Sequence, residues 1–437
     1  LPAGGIVNPP SVEAEGEAAA ILARLQSLYP TLIDLSLGRV ERLLGALGHP
    51  EQHLPPVIHV AGTNGKGSTC AFLRAMGEAA GWRVHVTTSP HLVRLNERFR
   101  VAGKLVDDPT LIATLAEIER VNAGAAITVF EVLVAAACVL FSRALADLAI
   151  IEVGLGGRFD ATNVIAAPAV CAIASLSMDH REFLGDTLAQ IAAEKAGIMK
   201  HGRPVVTGFQ PPEALRVLQD QAAVVGAPLL VRGRDWDVAV HPGGLAYRDA
   251  DGALDLPPPS LPGPHQTENA GLAVAALRAS GLPLPPSAYS GIAAATWPAR
   301  LQRLHGHLAS SLPPGFQLWL DGGHNEGAGQ ALARQAVCWS DRPLYLVAGM
   351  KQGKDAAGFL APLLTLAAEV WAVREPDQHL GLDVPAVIAA SGGVARPGPT
   401  VAGALRQVSQ FAAGRVLICG SLYLAGSVLR ADGSVPD

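Results

Sequence analysis

This chain of 437 residues is poor in charge, in aromatics and in cysteine. Charged residues make up 16% of it and Lys plus Arg (33) fall below Asp plus Glu (38), so a net charge of -5 supplies no general basic field for nucleic acid. Small anionic ligands must be held locally. The five cysteines, Cys70, Cys138, Cys171, Cys338 and Cys419, are widely spaced, contain no C-x-x-C pair and mostly sit in apolar runs. That argues against thiolate metal sites and reads as reduced core thiols. Long uninterrupted apolar runs are also missing: the most continuous, residues 125–141, is broken by Glu131 and is short for a membrane span, so it reads as a buried core helix. No basic segment followed by an apolar core opens the sequence, so no signal peptide is expected, and a first residue other than Met suggests a trimmed terminus. The cytoplasm is the expected compartment. No internal repeat of fixed short period is present.

What is abundant is apolar residues, 49%, enough to bury a large core, and the length favours two or three domains. The most informative segment is VIHVAGTNGKGSTC, residues 57–70. Val57, Ile58 and Val60 supply a buried strand; Gly62, Gly65 and Gly67 allow positive φ and close backbone approach; Lys66 opens a helix whose free N–H groups face an anion. Strand, glycines, lysine and helix in this order are a nucleotide phosphate cradle, formed by Gly62, Thr63, Asn64, Gly65, Lys66, Gly67 and Ser68. The usual pattern G-x-x-x-x-G-K-[ST] nevertheless fails at both ends, because Val60 stands at the first glycine and Gly67 where a magnesium-binding hydroxyl belongs. Ser68, one helical step on, is expected to serve the phosphates, and metal ligands must come from farther along the chain.

Strand-like and helical runs alternate after the cradle: RVHVTTS from Arg83, DPTLIATLAEIERV from Asp108, the apolar helix from Ala125, DLAIIEVG from Asp147 and AVCAIASLS from Ala169. This is the rhythm of a mostly parallel sheet covered by helices. The Pro/Gly-rich stretch 238–264 reads as a hairpin and loop inside the first domain. From about Trp297 the pattern restarts with FQLWLDGG, PLYLVAGM, EVWAVRE and RVLICGS as strands between helices. The expected fold is therefore α/β: a phosphate-loop ATPase domain with a mostly parallel sheet over residues 1–296, and a smaller Rossmann-like α/β domain over 297–437, with the junction near 293–298.

Glu152 ends an apolar strand at the carboxyl edge of the sheet, beside the place where a phosphate loop holds its nucleotide. Magnesium takes oxygen ligands there, usually one or two carboxylates with phosphates and water. Two further strands end in Ser89 and in Asp179 and His180. On chemistry alone His180 is either a ligand or a hydrogen-bonded loop residue, and Lys195 reads as a solvated lysine paired with Glu194.

GTNGKGS from Gly62, TSPHLVRLNER from Thr88, EVGLGGRFDATN from Glu152, SMDH from Ser177, AAEKAGI from Ala192, HQTENA from His265, WPARLQ from Trp297, DGGHN from Asp321 and GSLY from Gly420 together closely resemble folylpolyglutamate synthase and dihydrofolate synthase of the Mur ligase superfamily. The resemblance runs from the phosphate loop nearly to the C-terminus. It implies that Ser89, Glu152 and His180 hold Mg2+ and that Lys195 is carbamylated, which would turn an ammonium into a carboxylate-like ligand. It also implies that Asn269, Arg300 and Asp321 contact ATP across the domain boundary, and that His324 and Ser421 face L-glutamate. From the residues alone, Asn269 could satisfy a helix terminus, Arg300 could be a surface cation and Ser421 could cap the last helix.

The implied reaction is ATP-dependent addition of L-glutamate to the carboxylate of dihydropteroate or a reduced folate through an acyl phosphate, by a monomer that engages neither nucleic acid nor membrane. Lys66, Lys195 and His324 are the expected catalytic groups. Candidates for the pterin side are the loop 89–98, with Pro90, His91 and Arg94, and the segment 158–163, with Arg158 and Asp160; Phe130 and Glu131 are further candidates, against a plain core role. The alternatives are a folylpolyglutamate synthase without the dihydropteroate activity, a cell-wall Mur-type ligase, which the K-G-S after the loop disfavours, and a non-catalytic ATP switch. Two departures from the family pattern stand out: Gly323 replaces a common alanine in DGGHN, and VAGMKQGKD around Met350 is unusually basic.

Overall fold

The computed structural model describes residues 16–29 and 34–436. The opening residues, on which the expectations of a trimmed terminus and no signal peptide rest, lie outside the described residues. Eight strands form the first sheet: β1 (Val57–Ala61), β2 (Val84–Thr87), β3 (Phe99–Val101), β4 (Lys104–Leu105), β5 (Leu148–Glu152), β6 (Val170–Ile173), β7 (Val205–Thr207) and β8 (Leu229–Val231), in the order β4-β3-β2-β5-β1-β6-β7-β8. From β2 to β8 every pairing is parallel; the β2–β3 and β3–β4 pairings are antiparallel. β1, β5 and β6 are buried along their whole length, as strands covered on both faces must be, which is why they read as largely apolar runs. Chain order reverses on either side of β1, so its carboxyl end opens onto the crevice where an open α/β sheet binds its ligands.

One face of the sheet is covered by the helices Lys66–Ala79 and His265–Ala279, with Phe72, Met76, Leu272 and Val274 in the core. Full burial of a side chain such as Phe72 contributes roughly 1.5–3 kcal/mol. The apolar run near Ala125 is a buried helix, Val129–Ser142. It starts later than the apolar run does, because Thr128 and Glu131 form a capping box that fixes the first turn. Glu131 also pairs with Arg39, at 2.9 Å, so its role is structural. No helix among the described residues is long and apolar enough to cross a membrane.

The stretch read as a hairpin and loop is a three-stranded antiparallel meander: β9 (Trp236–His241), β10 (Gly244–Asp249) and β11 (Gly252–Leu256). Trp236, Val238, Leu245 and Tyr247 alternate onto a buried face packed against the helix His265–Ala279. Gly271 permits that approach, since a Cβ there would meet Val238 Cγ1 at 2.5 Å.

A second sheet follows: β12 (Gln302–Leu304), β13 (Gln317–Leu320), β14 (Leu344–Ala348), β15 (Glu369–Ala372), β16 (Arg396–Pro397) and β17 (Arg415–Cys419), in the order β12-β13-β17-β14-β15-β16 and parallel except for β12. The short β12 and β16 and the helix Val384–Ala390 escaped the sequence reading because their apolar periods are too brief to register.

Candidate active site

The carboxyl ends of β1, β2, β5 and β6 meet the loops of the second sheet around a cleft of about 180 Å³. Wider concavities exist on the surface, one beside Arg278 and Tyr289, but they gather none of the cradle residues. The cleft is lined by Gly62, Thr63, Asn64, Gly65, Lys66, Gly67 and Ser68, by Ser89 and Pro90, and by Glu152, His180 and Lys195. Asn269, Arg300, Asp321 and His324 complete it from the later part of the chain. The groups expected at strand ends do converge, but only Glu152 ends its strand: β2 stops at Thr87 and β6 at Ile173, so Ser89, Asp179 and His180 stand on the loops that follow.

The cradle's glycines are required by what surrounds them. Gly62 and Gly65 have φ of 147° and 87°, and a Cβ on Gly65 would run into Asn269 Oδ1. Gly67, the anomaly in the loop pattern, lies under the indole of Trp297: a Cβ would be 2.6 Å from Nε1 and 2.8 Å from Cε2. Lys66 Nζ donates to Gly62 O at 3.0 Å, folding its ammonium over the loop. Ser68 is buried, and its hydroxyl accepts from Gln266 Nε2 at 3.3 Å, while Asn269 Nδ2 donates to Gln266 Oε1 at 2.9 Å. Gln266, which the sequence reading did not single out, thus links the cradle to Asn269.

Glu152 is 6% exposed and its Oε2 accepts from Ser89 N at 3.1 Å. Burial pushes its carboxyl above the ordinary range, against the pull of Lys66 and the Ser89 N–H. His180 sits at positive φ, 50°, and burial together with Lys354 lowers its imidazole to about 3, so the ring is neutral and its lone pair can bind a cation. Among the described residues no group of three or more His, Cys, Asp or Glu is arranged to hold a metal. The Ser89 hydroxyl, the Glu152 carboxylate and neutral His180 nevertheless fit a divalent cation whose remaining positions are filled by phosphate oxygens, and a buried carboxylate with a single N–H donor invites one.

Lys195 overturns its reading as a solvated lysine paired with Glu194. It is 5% exposed, in the helix Leu188–Ala196, and has no hydrogen-bond or ion-pair partner among the described residues. Burial first, then the charge of Lys66, depress its amine to about 7.

Arg300 stands on a strained turn between Ala299 (φ 53°) and Leu301 (φ 45°). Asp321 holds that turn: its oxygens accept from Leu301 N at 2.9 Å and Gly323 N at 2.7 Å. His324 Nδ1 donates to Gly322 O at 3.0 Å, which turns Nε2 toward Asp179 Oδ2, 3.7 Å away. Asn325 and Asn64 exchange two amide hydrogen bonds of 3.1 Å, joining the second sheet's loop to the phosphate loop.

Other expected residues lie outside the cleft lining. His91 accepts from Arg98 Nε at 2.9 Å, Arg94 is exposed and donates to Pro436 O, and Arg158 is exposed beside Phe159. Asp160 is buried in a local knot, accepting from Leu155 N at 2.8 Å and Thr162 N at 3.0 Å. Ser421 caps the last helix, its Oγ accepting from Tyr423 N at 3.1 Å. Phe130 lies beneath Gly154 and lines a small recess with Arg98 and Glu152. Lys354 was missed as an individual residue; the basic run VAGMKQGKD was its only trace in the sequence.

A family model of the Mur ligase middle domain matches residues 60–219. The chain is 40% identical over 352 residues to the dihydrofolate synthase/folylpolyglutamate synthase of Escherichia coli (strain K12), covering 80% of each chain. It is similar in structure to E. coli FolC in complex with DHPP and ADP, with TM-score 0.86, 34% identity and coverage of 97% of this chain and 99% of that one. A bifunctional folylpolyglutamate synthase/dihydrofolate synthase with Mn, AMPPNP and L-glutamate bound is likewise similar, with TM-score 0.84, 34% identity and the same coverage. With the cradle, the strand-end carboxylate and the second sheet's DGGHN loop meeting at one cleft, these likenesses make the chain a member of the folylpolyglutamate synthase/dihydrofolate synthase family of Mur ligases.

Proposed function

We propose that the protein is an ATP-dependent ligase that adds L-glutamate to the carboxylate of dihydropteroate or a reduced folate, releasing ADP and phosphate. The observation that carries this reading is the junction of a phosphate cradle with Glu152, His180 and Lys195 on one wall and Arg300, Asp321 and His324 on the other. Relatives crystallised with ADP and DHPP, or with Mn, AMPPNP and L-glutamate, support ATP, a divalent metal and substrates of these classes.

A free carboxylate has no adequate leaving group; transfer of the ATP γ-phosphoryl to it forms an acyl phosphate, and the amine of glutamate displaces phosphate from that carbonyl. Lys66 and the loop N–H groups hold and neutralise the transferring phosphoryl, where positioning and electrostatics supply most of the rate. Ser89, Glu152 and His180 would hold the divalent metal, which supplies charge neutralisation at the phosphates when bound. Lys195, whose amine is about half neutral near pH 7, is suited to attack carbon dioxide, forming an N–C bond and releasing a proton to leave a carbamate anion beside that site. Arg300 and Asp321 reach ATP from the second domain, and His324 orients the incoming amine.

The domain boundary falls at residues 296/297, with Trp297 in the hinge. Closure there would exclude water from the acyl phosphate. The free state of all five cysteines supports a reduced, cytoplasmic setting, and the protein is read as a monomer.

The test is phosphate release with Mg-ATP and L-glutamate, run with dihydropteroate, with tetrahydrofolate and with neither, beside mass detection of product. Acceptor-dependent phosphate and a product heavier by one glutamyl unit are expected. Phosphate release independent of acceptor would favour an ATP switch instead.

A further inference from the structure

Asp179 is the densest polar crossing between the two halves of the molecule. It lies on the loop that follows β6, yet three of its partners come from the second sheet's loops. Lys354 Nζ lies 2.5 Å from Oδ1, Asn325 Nδ2 donates to Oδ2 at 2.9 Å, and His324 Nε2 is 3.7 Å from Oδ2. The Asp179 and Lys354 side chains are 9% and 11% exposed, so the ion pair is largely shielded from solvent and salt. Lys354 reaches one step further and donates to Nε2 of His180 at 3.1 Å.

This placement is built into the fold rather than left to a loose surface lysine. The loop after β14 is pinned on its far side, with Gln352 N donating to Leu380 O at 2.8 Å and Lys351 bridging to Gly381. Gly353 turns the chain at φ 78° and Asp355 caps the helix Ala356–Leu364 by accepting from Gly358 N at 2.9 Å. Between those anchors the Lys354 side chain extends to Asp179 and His180.

A neutral imidazole has one free lone pair. With Nε2 of His180 accepting from Lys354, that nitrogen is closed to a metal; with a metal on Nε2, the Lys354 contact is broken.

We propose that Lys354 is a placeholder cation: its ammonium occupies the His180 end of the metal site and is displaced from it when a divalent cation arrives, so metal binding and this interdomain contact oppose each other. The inference rests on His180 being a metal ligand. It adds a residue of the second domain that reports whether the metal site in the first is filled, and the coupling is reciprocal by thermodynamic necessity.

The experiment is Mn2+ binding to full-length protein in the presence of AMPPNP, followed by electron paramagnetic resonance and calorimetry, for the wild type, Lys354→Met, Lys354→Arg and His180→Ala, with circular dichroism to confirm folding. Removing one competing charge-assisted hydrogen bond predicts that Lys354→Met binds Mn2+ about tenfold tighter. Lys354→Arg keeps the charge and stays near the wild type, and His180→Ala binds more weakly. Unchanged or weaker binding in Lys354→Met, with His180→Ala weakened, overturns the placeholder and leaves the ligand reading intact. Equal tightening in Lys354→Arg and Lys354→Met assigns the effect to packing and also overturns it. Undiminished binding in His180→Ala removes the ligand reading and the placeholder with it.

Discussion

Replacing Gly67 by alanine or serine would bring the phosphate loop closer to the usual pattern, and the structure predicts that it damages this protein. A Cβ at 67 would sit 2.6, 2.8 and 3.0 Å from three indole atoms of Trp297. Neither side can yield easily: Gly67 is in the first turn of a helix whose Cys70, Ala71 and Phe72 are fully buried, and Trp297 packs against the same core. Overpacking of this kind costs about 1–3 kcal/mol. Thermal unfolding should show a midpoint lower by about 2–6 °C. The loss of ligase activity should exceed what that destabilisation explains, because the shifted element carries Lys66. Trp297→Ala, which opens the space, should restore much of the stability in the double variant, a coupling that two independent sites would not show. A Gly67→Ala protein as stable and active as the wild type would refute the claim that Trp297 dictates this glycine.

Lys195 makes a pH prediction. Its amine lies at about 7 against an ordinary 10.5, so between those values the unfolded chain binds more protons and stability rises with pH; below about 7 the cost of charging the buried amine is fully present. Activation by bicarbonate should therefore grow from pH 6 to 8, Lys195→Ala should abolish turnover, and short carboxylates should restore part of it; an alanine variant of full activity would remove the carbamate proposal. Glu152→Gln should leave thermal stability unchanged or slightly raised, since burial disfavours its charge, while weakening Mn2+ binding with AMPPNP by more than about tenfold; unchanged binding would exclude Glu152 as a ligand. Arg278 pairs with Asp249 at 2.5 Å and lies close to Tyr247, clamping the meander to its helix, so Arg278→Ala should cost about 1–3 kcal/mol of unfolding free energy, read from denaturant unfolding, with turnover per folded molecule kept. Loss of turnover without loss of stability would instead make the meander part of the site.

The features legible in the residues alone are local and periodic. The strand, glycines and lysine of residues 57–70, the apolar runs that form most of β5 and β6, the buried core helix near Ala125 and the restart after about Trp297 each follow from residues within one element, where short-range sterics and hydrogen bonding dominate. The meander was only half legible, because its alternation onto a buried face is interrupted by the turn residues that create it. The resemblance supplied ligand and substrate roles that spacing alone left open. Tertiary structure decided the rest. Why position 67 is glycine depends on an indole brought from position 297. Why Lys195 is buried depends on how helices settle against a sheet. The Asn64–Asn325 and Asp179–Lys354 contacts join residues 261 and 175 positions apart. No local propensity encodes such pairs; they exist because two sheets, each folded around its own core, bring their loops to one cleft.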